Sequence, residues 1–331
     1  MAKSESMDRA DELAPKNTKS RRTRIRADLL ISYGLAALLL IALGLSTNSG
    51  FNLHRYLVIL AQNAQFGVAA IGQSFALLSG GLDLSIGPVI NLTNIVASTL
   101  MNGQNSNILV ALIVSLLIAA SIGAINGLLV TKAHIPPLLA TLAVGTVIQG
   151  AYYVYTGGQP SGNSAPGFAL VANGWIKNVL PINLIIWLAV WGLSSYFLYQ
   201  TTFGRRFYAT GANSRAAWLS GISYGKYTVT AYIASSLCAA VAGLQLTSYI
   251  GVASIGVGDS YTLNTIAAAI IGGIAFSGGI GKLAGTFAGV LVMISLTTIL
   301  STLNVPQASQ YIVQGIVIVL MMLLNKRLSG K

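Results

Sequence analysis

The chain has 331 residues, of which 54% are hydrophobic and 8% charged, with a formal net charge of +12 at pH 7 and a mean hydropathy of +0.72. A soluble domain carries about 25% charged residues, so this composition excludes a water-covered globular protein. The positive excess does not mark a nucleic-acid partner either: Arg21, Arg22, Arg24 and Arg26 sit immediately before the first apolar run, and no basic and aromatic module accompanies them.

In chain order, residues 1–28 are polar, mixed in charge and rich in Ser and Lys, and are expected to form a disordered basic tail. The tail followed by 31–46 has the outline of a signal peptide, but the apolar run is long for one and lacks a small-x-small cleavage site, so a retained first span is expected. About ten apolar segments follow, at 29–47, 57–78, 84–101, 108–131, 137–155, 182–200, 227–250, 261–276, 283–302 and 309–325. Roughly 20 apolar residues cross a bilayer as a helix, and helices satisfy their backbone polar groups internally. Barrel strands would alternate over about ten residues, and these runs are longer and continuous. The expected fold is therefore all-α: a polytopic inner-membrane protein of about ten transmembrane helices, with its membrane domain over 29–327. The eighth segment is short and Gly-rich, and is expected to be a broken or partial span.

Loop charge sets the orientation. With the N-terminus inside and ten crossings, every Lys and Arg except Arg55 and Lys177 falls on the cytoplasmic side, as the positive-inside rule demands. Both termini are then cytoplasmic. Residues 156–181, rich in Gly, Pro, Ser and Asn, become a periplasmic loop. Residues 201–226 become a cytoplasmic loop carrying Arg205, Arg206, Arg215 and Lys226, long enough for a short helix. A possible internal repeat links GVAAIGQSFALLSGGL at 67–82 with AAAIIGGIAFSGGI at 267–280, both ending in Ser-Gly-Gly and an aliphatic residue.

The chemistry-bearing residues are few. The carboxylates are Glu5, Asp8, Asp11, Glu12, Asp28, Asp83 and Asp259, and the histidines are His54 and His134. They give no carboxylate pair for acid–base work and no Ser–His–Asp set. Cys238 is the single cysteine, which leaves no disulfide and no thiol metal site. No phosphate-binding loop is present. No catalytic residue, metal or cofactor is expected on this chain, and ATP must be hydrolysed on a partner. Proton-coupled carriers use buried ionisable relays, for which only Asp83 qualifies. Uncharged hydrogen-bonding residues instead recur at helical spacing: Gln62, Gln65 and Gln73; Asn91, Asn94 and Ser98; Thr141 and Gln149, with Tyr152 and Tyr153 beyond. Such residues either line a path for a neutral polyol or join helices by hydrogen bonds. Gly243 and the Gly272–Gly289 series point to close helix packing.

Four segments carry a resemblance. SFALLSGGLDLSIGPVINL at 74–92, HIPPLLATLAV at 134–144, GRRFYATGANSRAAWLSGI at 204–222 and TIAAAIIGGIAFSGGIGKLAGTFAGV at 265–290 resemble, in order, segments of the ribose-type ABC importer permeases of the branched-chain/ribose permease superfamily. The resemblance spans nearly all of 29–327. It implies a core of two permease subunits, as a homo- or heterodimer in membrane lipid, with a cytoplasmic ABC ATPase docked inside and a periplasmic sugar-binding protein outside. The implied function is translocation of a monosaccharide, with autoinducer, inositol, nucleoside or vitamin as alternative cargo and a secondary carrier as the rival class. Ser79, Gly80, Gly81 and Asp83 are expected to be structural or gating, with Asp83 capping the helix that follows. Asn264 is placed with them, where many relatives carry Asp. Gly204, Arg205, Tyr208, Ala209, Gly211, Asn213 and Gly221 are expected to couple the chain to the ATPase. In that loop Tyr208 and Trp218 would offer docking surface, while Gly211 and Gly221 would turn the chain at either end of a short helix.

Overall fold

The structure, a computed structural model, describes residues 18–46 and 50–328, so residues 1–17 of the expected tail and 329–331 lie outside it. A helix covers most of each of the ten apolar segments. The chain runs through α1 (Thr18–Leu45), α2 (Leu53–Gln62), α3 (Ala64–Leu78), α4 (Ile86–Met101), α5 (Ile108–Thr131) and α6 (Pro137–Thr156). It continues through a one-turn α7 (Leu170–Asn173), α8 (Ile182–Gln200), α9 (Thr202–Ala212), α10 (Ser214–Leu219), α11 (Tyr224–Ile250), α12 (Asp259–Ile271), α13 (Leu283–Thr302) and α14 (Gln307–Leu328). The strands β1 (Trp175–Ile176) and β2 (Leu180–Pro181) form a two-residue antiparallel hairpin within the 156–181 loop. Helix α1 begins inside the segment read as a tail.

Among the described residues, 5 helices are long and apolar enough to cross a membrane: α5 with its preceding turn, α6, α8, α11 and α13. The stretch 29–45 of α1, with α3 and α4, is apolar but shorter. The 57–78 segment is not one straight helix. It breaks at Asn63, whose Nδ2 donates to the Ile59 carbonyl at 2.9 Å and so competes with the helix's own ladder. Helix α3 alone, at 15 residues, is about 22 Å long, short of the ~30 Å hydrocarbon layer. Helix α12, with 13 residues, is shorter still, as its Gly-rich segment predicts.

Position in the bundle follows composition. Helix α3 is mostly apolar, with Gln65, Gln73 and Ser74 its polar residues, and every one of its residues is buried. Helix α11 packs on α3, α4 and α5, and 67% of its apolar window is buried, against 22% for α8. The closest crossings are made at glycine, as short approaches without a hydrophobic driving force require. A Cβ on Gly67 would lie 2.1 Å from the Trp187 ring, one on Gly243 2.8 Å from Thr93, and one on Gly285 1.8 Å from the Gly272 carbonyl oxygen.

The loops gather at two ends. At one end Gly103 N–H donates to Asn163, Ser164 N–H to Gly251, and Ala253 N–H to Gly162, knitting the turn after α4, the 156–181 loop and the 251–258 segment together. His54 stacks on Trp175 there at 4.8 Å, which brings Arg55 and Lys177 to the same end. At the other end the α3–α4 break meets the start of α6, α9 and the 272–282 turn, together with the loops carrying Lys132, Arg205, Arg206, Arg215, Lys226 and Lys282. The charge separation read from the sequence is thus a separation of the two ends of the bundle.

Candidate functional site

The α3–α4 break is built by the Ser-Gly-Gly turn. Gly80 adopts φ +88°, and the pair of bonds from Gly81 N–H to the Ala76 carbonyl and from Gly80 N–H to the Leu77 carbonyl closes α3 in a left-handed glycine cap. Asp83 follows, fully buried. It does not cap α4 as the sequence suggested. Its Oδ1 accepts from the backbone N–H of Ser85 at 2.9 Å and from the Ser85 hydroxyl, while Oδ2 accepts from the Ser235 hydroxyl of α11 at 2.7 Å. Asn126 of α5 donates to Ser85 Oγ at 2.9 Å. Thr141 of α6 accepts from Leu84 N–H at 3.0 Å and donates back to its own helix. The break is therefore clamped to α5, α6 and α11.

The polar residues read as a pathway part company. Gln62 and Gln149 are exposed at the edge of the set: Gln65 donates to the Gln62 carbonyl, and Gln149 bonds to the Tyr152 hydroxyl, which also accepts from Asn91 at 3.3 Å. Gln65 belongs to a buried amide chain in which Asn183 donates to Gln65 at 3.3 Å and Gln245 donates to Asn183 at 2.6 Å, joining α3, α8 and α11. Asn91 donates to Asp259 at 2.7 Å and accepts from Gly258 N–H at 2.6 Å; Asn94 donates to Thr247 at 3.1 Å and accepts from Ser254 N–H at 2.7 Å. Asn91 and Asn94 thus fasten α4 to the 251–258 segment, the joining role of polar groups in membranes. Gln73 is fully buried in α3, and neither end of its amide finds a partner among the described residues.

A polar cavity of about 120 Å³ opens instead beside Asn264, lined by Asn63, Ser260, Tyr261 and Thr297 with Phe66, Met293 and Ile294. Among the described residues no carboxylate or cation lines it, and its wall presents amides, hydroxyls and aromatic rings beside the apolar Met293 and Ile294. Asn264 was singled out from the sequence. Ser260 lies four residues before it, one helical turn away, a spacing that could have flagged the pair. Asn63 and Thr297 come from α2–α3 and α13, and nothing in the sequence links them.

The 201–226 loop holds two helices. Thr201 caps α9 by accepting from Gly204 N–H at 3.3 Å, and Asn213 caps α10 by accepting from Ala216 N–H at 3.0 Å. Gly221, at φ +75°, ends α10 as expected. Gly211 does not turn the chain. It sits inside α9 where a Cβ would fall 1.9 Å from the Leu78 carbonyl oxygen and 2.9 Å from Gly279 N. The Leu78 oxygen also accepts from Gly279 N–H at 2.9 Å, and a Cβ on Gly278 would lie 2.7 Å from Gly80 Cα. The two Ser-Gly-Gly turns therefore touch backbone to backbone with Gly211 wedged against them. Tyr208 turns inward as well, its hydroxyl donating to the Gly281 carbonyl at 3.0 Å. The outward face is left to Arg205, Ala209 and Arg215, with Trp218 at 68% and Leu219 at 74% exposure.

Residues 55–322 match the family described as the permease component of the branched-chain amino acid transport system. A ribose import permease protein of Bacillus subtilis is 37% identical over 82% of this chain and 84% of its own length. The ribose import permease protein of Escherichia coli K12 is 32% identical over 95% of this chain and 99% of its own length. A galactose/methyl galactoside import permease protein of Haemophilus influenzae is 29% identical over 88% and 93%. No solved structure matches. Fold, apolar helices and relatives agree: the chain is a multi-pass membrane protein and belongs to the ribose-type ABC importer permeases of the branched-chain/ribose superfamily.

Proposed function

We propose that the chain is the translocating subunit of a monosaccharide importer of the bacterial inner membrane. A periplasmic binding protein delivers the sugar, and a separate cytoplasmic ATPase drives a pair of permease subunits. The observation that carries the reading is the cavity at Asn264, whose amides, hydroxyls and aromatic rings suit a neutral polyol and offer an ion no counter-charge. Ten crossings with both termini inside follow from the same reading, supported by the two-ended sorting of basic loops. The energy of hydrolysis enters through the exposed face of α9 and α10, since this sequence carries no nucleotide loop of its own.

Reconstitution in proteoliposomes with the cognate ATPase and binding protein tests the reading. ATP-dependent uptake of a labelled pentose or hexose is the expected result. Uptake without ATP would reveal a secondary carrier, and selective binding of inositol, an autoinducer, a nucleoside or a vitamin by the cognate binding protein would move the cargo outside the sugars. Orientation has its own test: a cysteine at Ser214 should resist membrane-impermeant thiol reagents in intact cells, and ready labelling would overturn the topology.

A further inference from the structure

A second and larger hollow lies at the basic end of the bundle, an apolar crevice of about 600 Å³ between the C-terminal half of α8, the start of α9, and α11. Its walls include Phe75, Leu193, Phe203, Phe207, Leu237 and Cys238. It reaches deep, since Phe75 and Cys238 are buried at 7% and 9% exposure, yet its outer wall faces the bundle exterior, where Leu193 and Phe197 are 61% and 48% exposed. No polar network described above enters it.

The rim is cationic. Thr202 lines the crevice within one turn of Arg205 and Arg206, and Thr230 lines it with its hydroxyl donating to the Lys226 carbonyl at 2.7 Å. Arg205, Arg206 and Lys226 are exposed. The carboxylates whose side chains the structure describes are Asp83, bound at the α3–α4 break, and Asp259, bound to Asn91 toward the opposite end. None of the three cations therefore has an acidic partner among the described residues.

An apolar cleft that opens on hydrocarbon is filled by hydrocarbon, and anionic lipid headgroups collect where Lys and Arg lie at the membrane surface. A second copy of this chain would bring the same basic loops to the rim and meet like charge. We propose that the crevice holds one acyl chain of an anionic phospholipid of the cytoplasmic leaflet, its headgroup held by Arg206 and Lys226. The assignment rests on the reading of 201–226 as cytoplasmic, which the Ser214 labelling tests separately. The acyl chain lies against Phe203 and Phe207, and Phe207 meets Phe75 of α3 edge to face at 5.9 Å. The lipid thus fills the space that would otherwise leave α9 without support on its membrane side.

The full-length chain, extracted in mild detergent, is examined by native mass spectrometry. The expected result is one retained phospholipid per chain, with phosphatidylglycerol enriched severalfold over phosphatidylethanolamine relative to the parent membrane. Ala234→Phe, which fills the crevice, should abolish retention. The double change Arg206→Gln and Lys226→Gln should keep a lipid but lose the headgroup preference. Cys238, the sole cysteine, lines the crevice and reports on it in the unaltered protein. After delipidation, an apolar maleimide should label Cys238 severalfold faster than in its lipid-bound state, and phosphatidylglycerol added back in mixed micelles should slow it again. Labelling that ignores lipid, or that slows only as protein concentration rises, would overturn the proposal. Equal protection by phosphatidylethanolamine would overturn the headgroup assignment.

Discussion

Replacing Gly211 by Ala places a methyl group where no space exists. Its Cβ would lie 1.9 Å from the Leu78 carbonyl oxygen, and contacts under 3.0 Å are not sustained, so two backbones must separate by more than an ångström. Neither neighbour is a flexible side-chain tip. The separation also pulls Leu78 away from Gly279 N–H, which donates to it at 2.9 Å. Overpacking of a filled site costs about 1–3 kcal/mol and a lost hydrogen bond about 1 kcal/mol more. The junction is thereby disfavoured by roughly 2–4 kcal/mol, a shift of about 30-fold or more in any equilibrium that needs it intact, at 1.4 kcal/mol per tenfold. Gly192→Ala on α8 is the control, because a Cβ there meets nothing within 4 Å. The assays are co-purification of the ATPase, basal hydrolysis, and hydrolysis stimulated by the loaded binding protein. Gly211→Ala should assemble and hydrolyse at the basal rate but lose stimulation and uptake, while Gly192→Ala behaves as the parent. Full stimulation in Gly211→Ala would refute the argument that this contact transmits the stroke.

Asp83→Asn should retain most uptake, since the amide oxygen still accepts from Ser85 and the amide N–H₂ can donate to Ser235 Oγ, an acceptor as well as a donor. Asp83→Leu leaves the buried Ser85 N–H unpaired at a cost of about 1–3 kcal/mol and should lower the amount of folded permease in membranes. Trp218→Asp should reduce ATPase co-purification, because Trp218 is 68% exposed on the outer face of α10. Tyr208→Phe, which removes the hydroxyl's bonds to the Gly281 carbonyl and to Tyr199, should keep co-purification and lower thermal stability by about 1 kcal/mol per bond lost. Parent-like co-purification in Trp218→Asp would move the docking surface elsewhere. Asn264→Leu should raise the KM for uptake in proteoliposomes by removing a polar wall of the cavity, and an unchanged KM would take the cavity off the sugar's route.

The helices were legible because run length and loop charge are local properties of the sequence. The break at Asn63 was not, since an asparagine inside an apolar run reads equally well as a helix residue, and only its bond to Ile59 shows it competing with the ladder. The polar residues illustrate the limit more sharply. Spacing at i, i+3 and i+7 puts Asn91, Asn94 and Ser98 near one face of α4, but it cannot say what that face meets. Their amide oxygens accept from the backbone of the 251–258 segment, while their amide N–H groups donate to Asp259 and Tyr152 and to Thr247. The cavity wall was hidden for the converse reason: Asn63, Asn264 and Thr297 stand on three elements distant in sequence. In the 201–226 loop, composition identified both Tyr208 and Trp218 as anchors, and only the fold separates the one bound to Gly281 from the one left exposed.

The likeness between the two Ser-Gly-Gly segments acquires a mechanical meaning once they are placed. Gly80 and Gly278 both adopt left-handed backbone, and each turn follows a helix shorter than the bilayer. The two turns touch each other and both touch Gly211 at the C-terminal end of α9. A displacement of α9 cannot reach one turn without reaching the other, because the contacts are backbone on backbone and no side chain can yield between them. Asp83 holds the adjacent segment to α11 through Ser235, and Thr141 holds it to α6. The two short helices α3 and α12 therefore share one joint at the basic end, while the Asn91 and Asn94 bonds fix α4 to the segment entering α12 toward the opposite end.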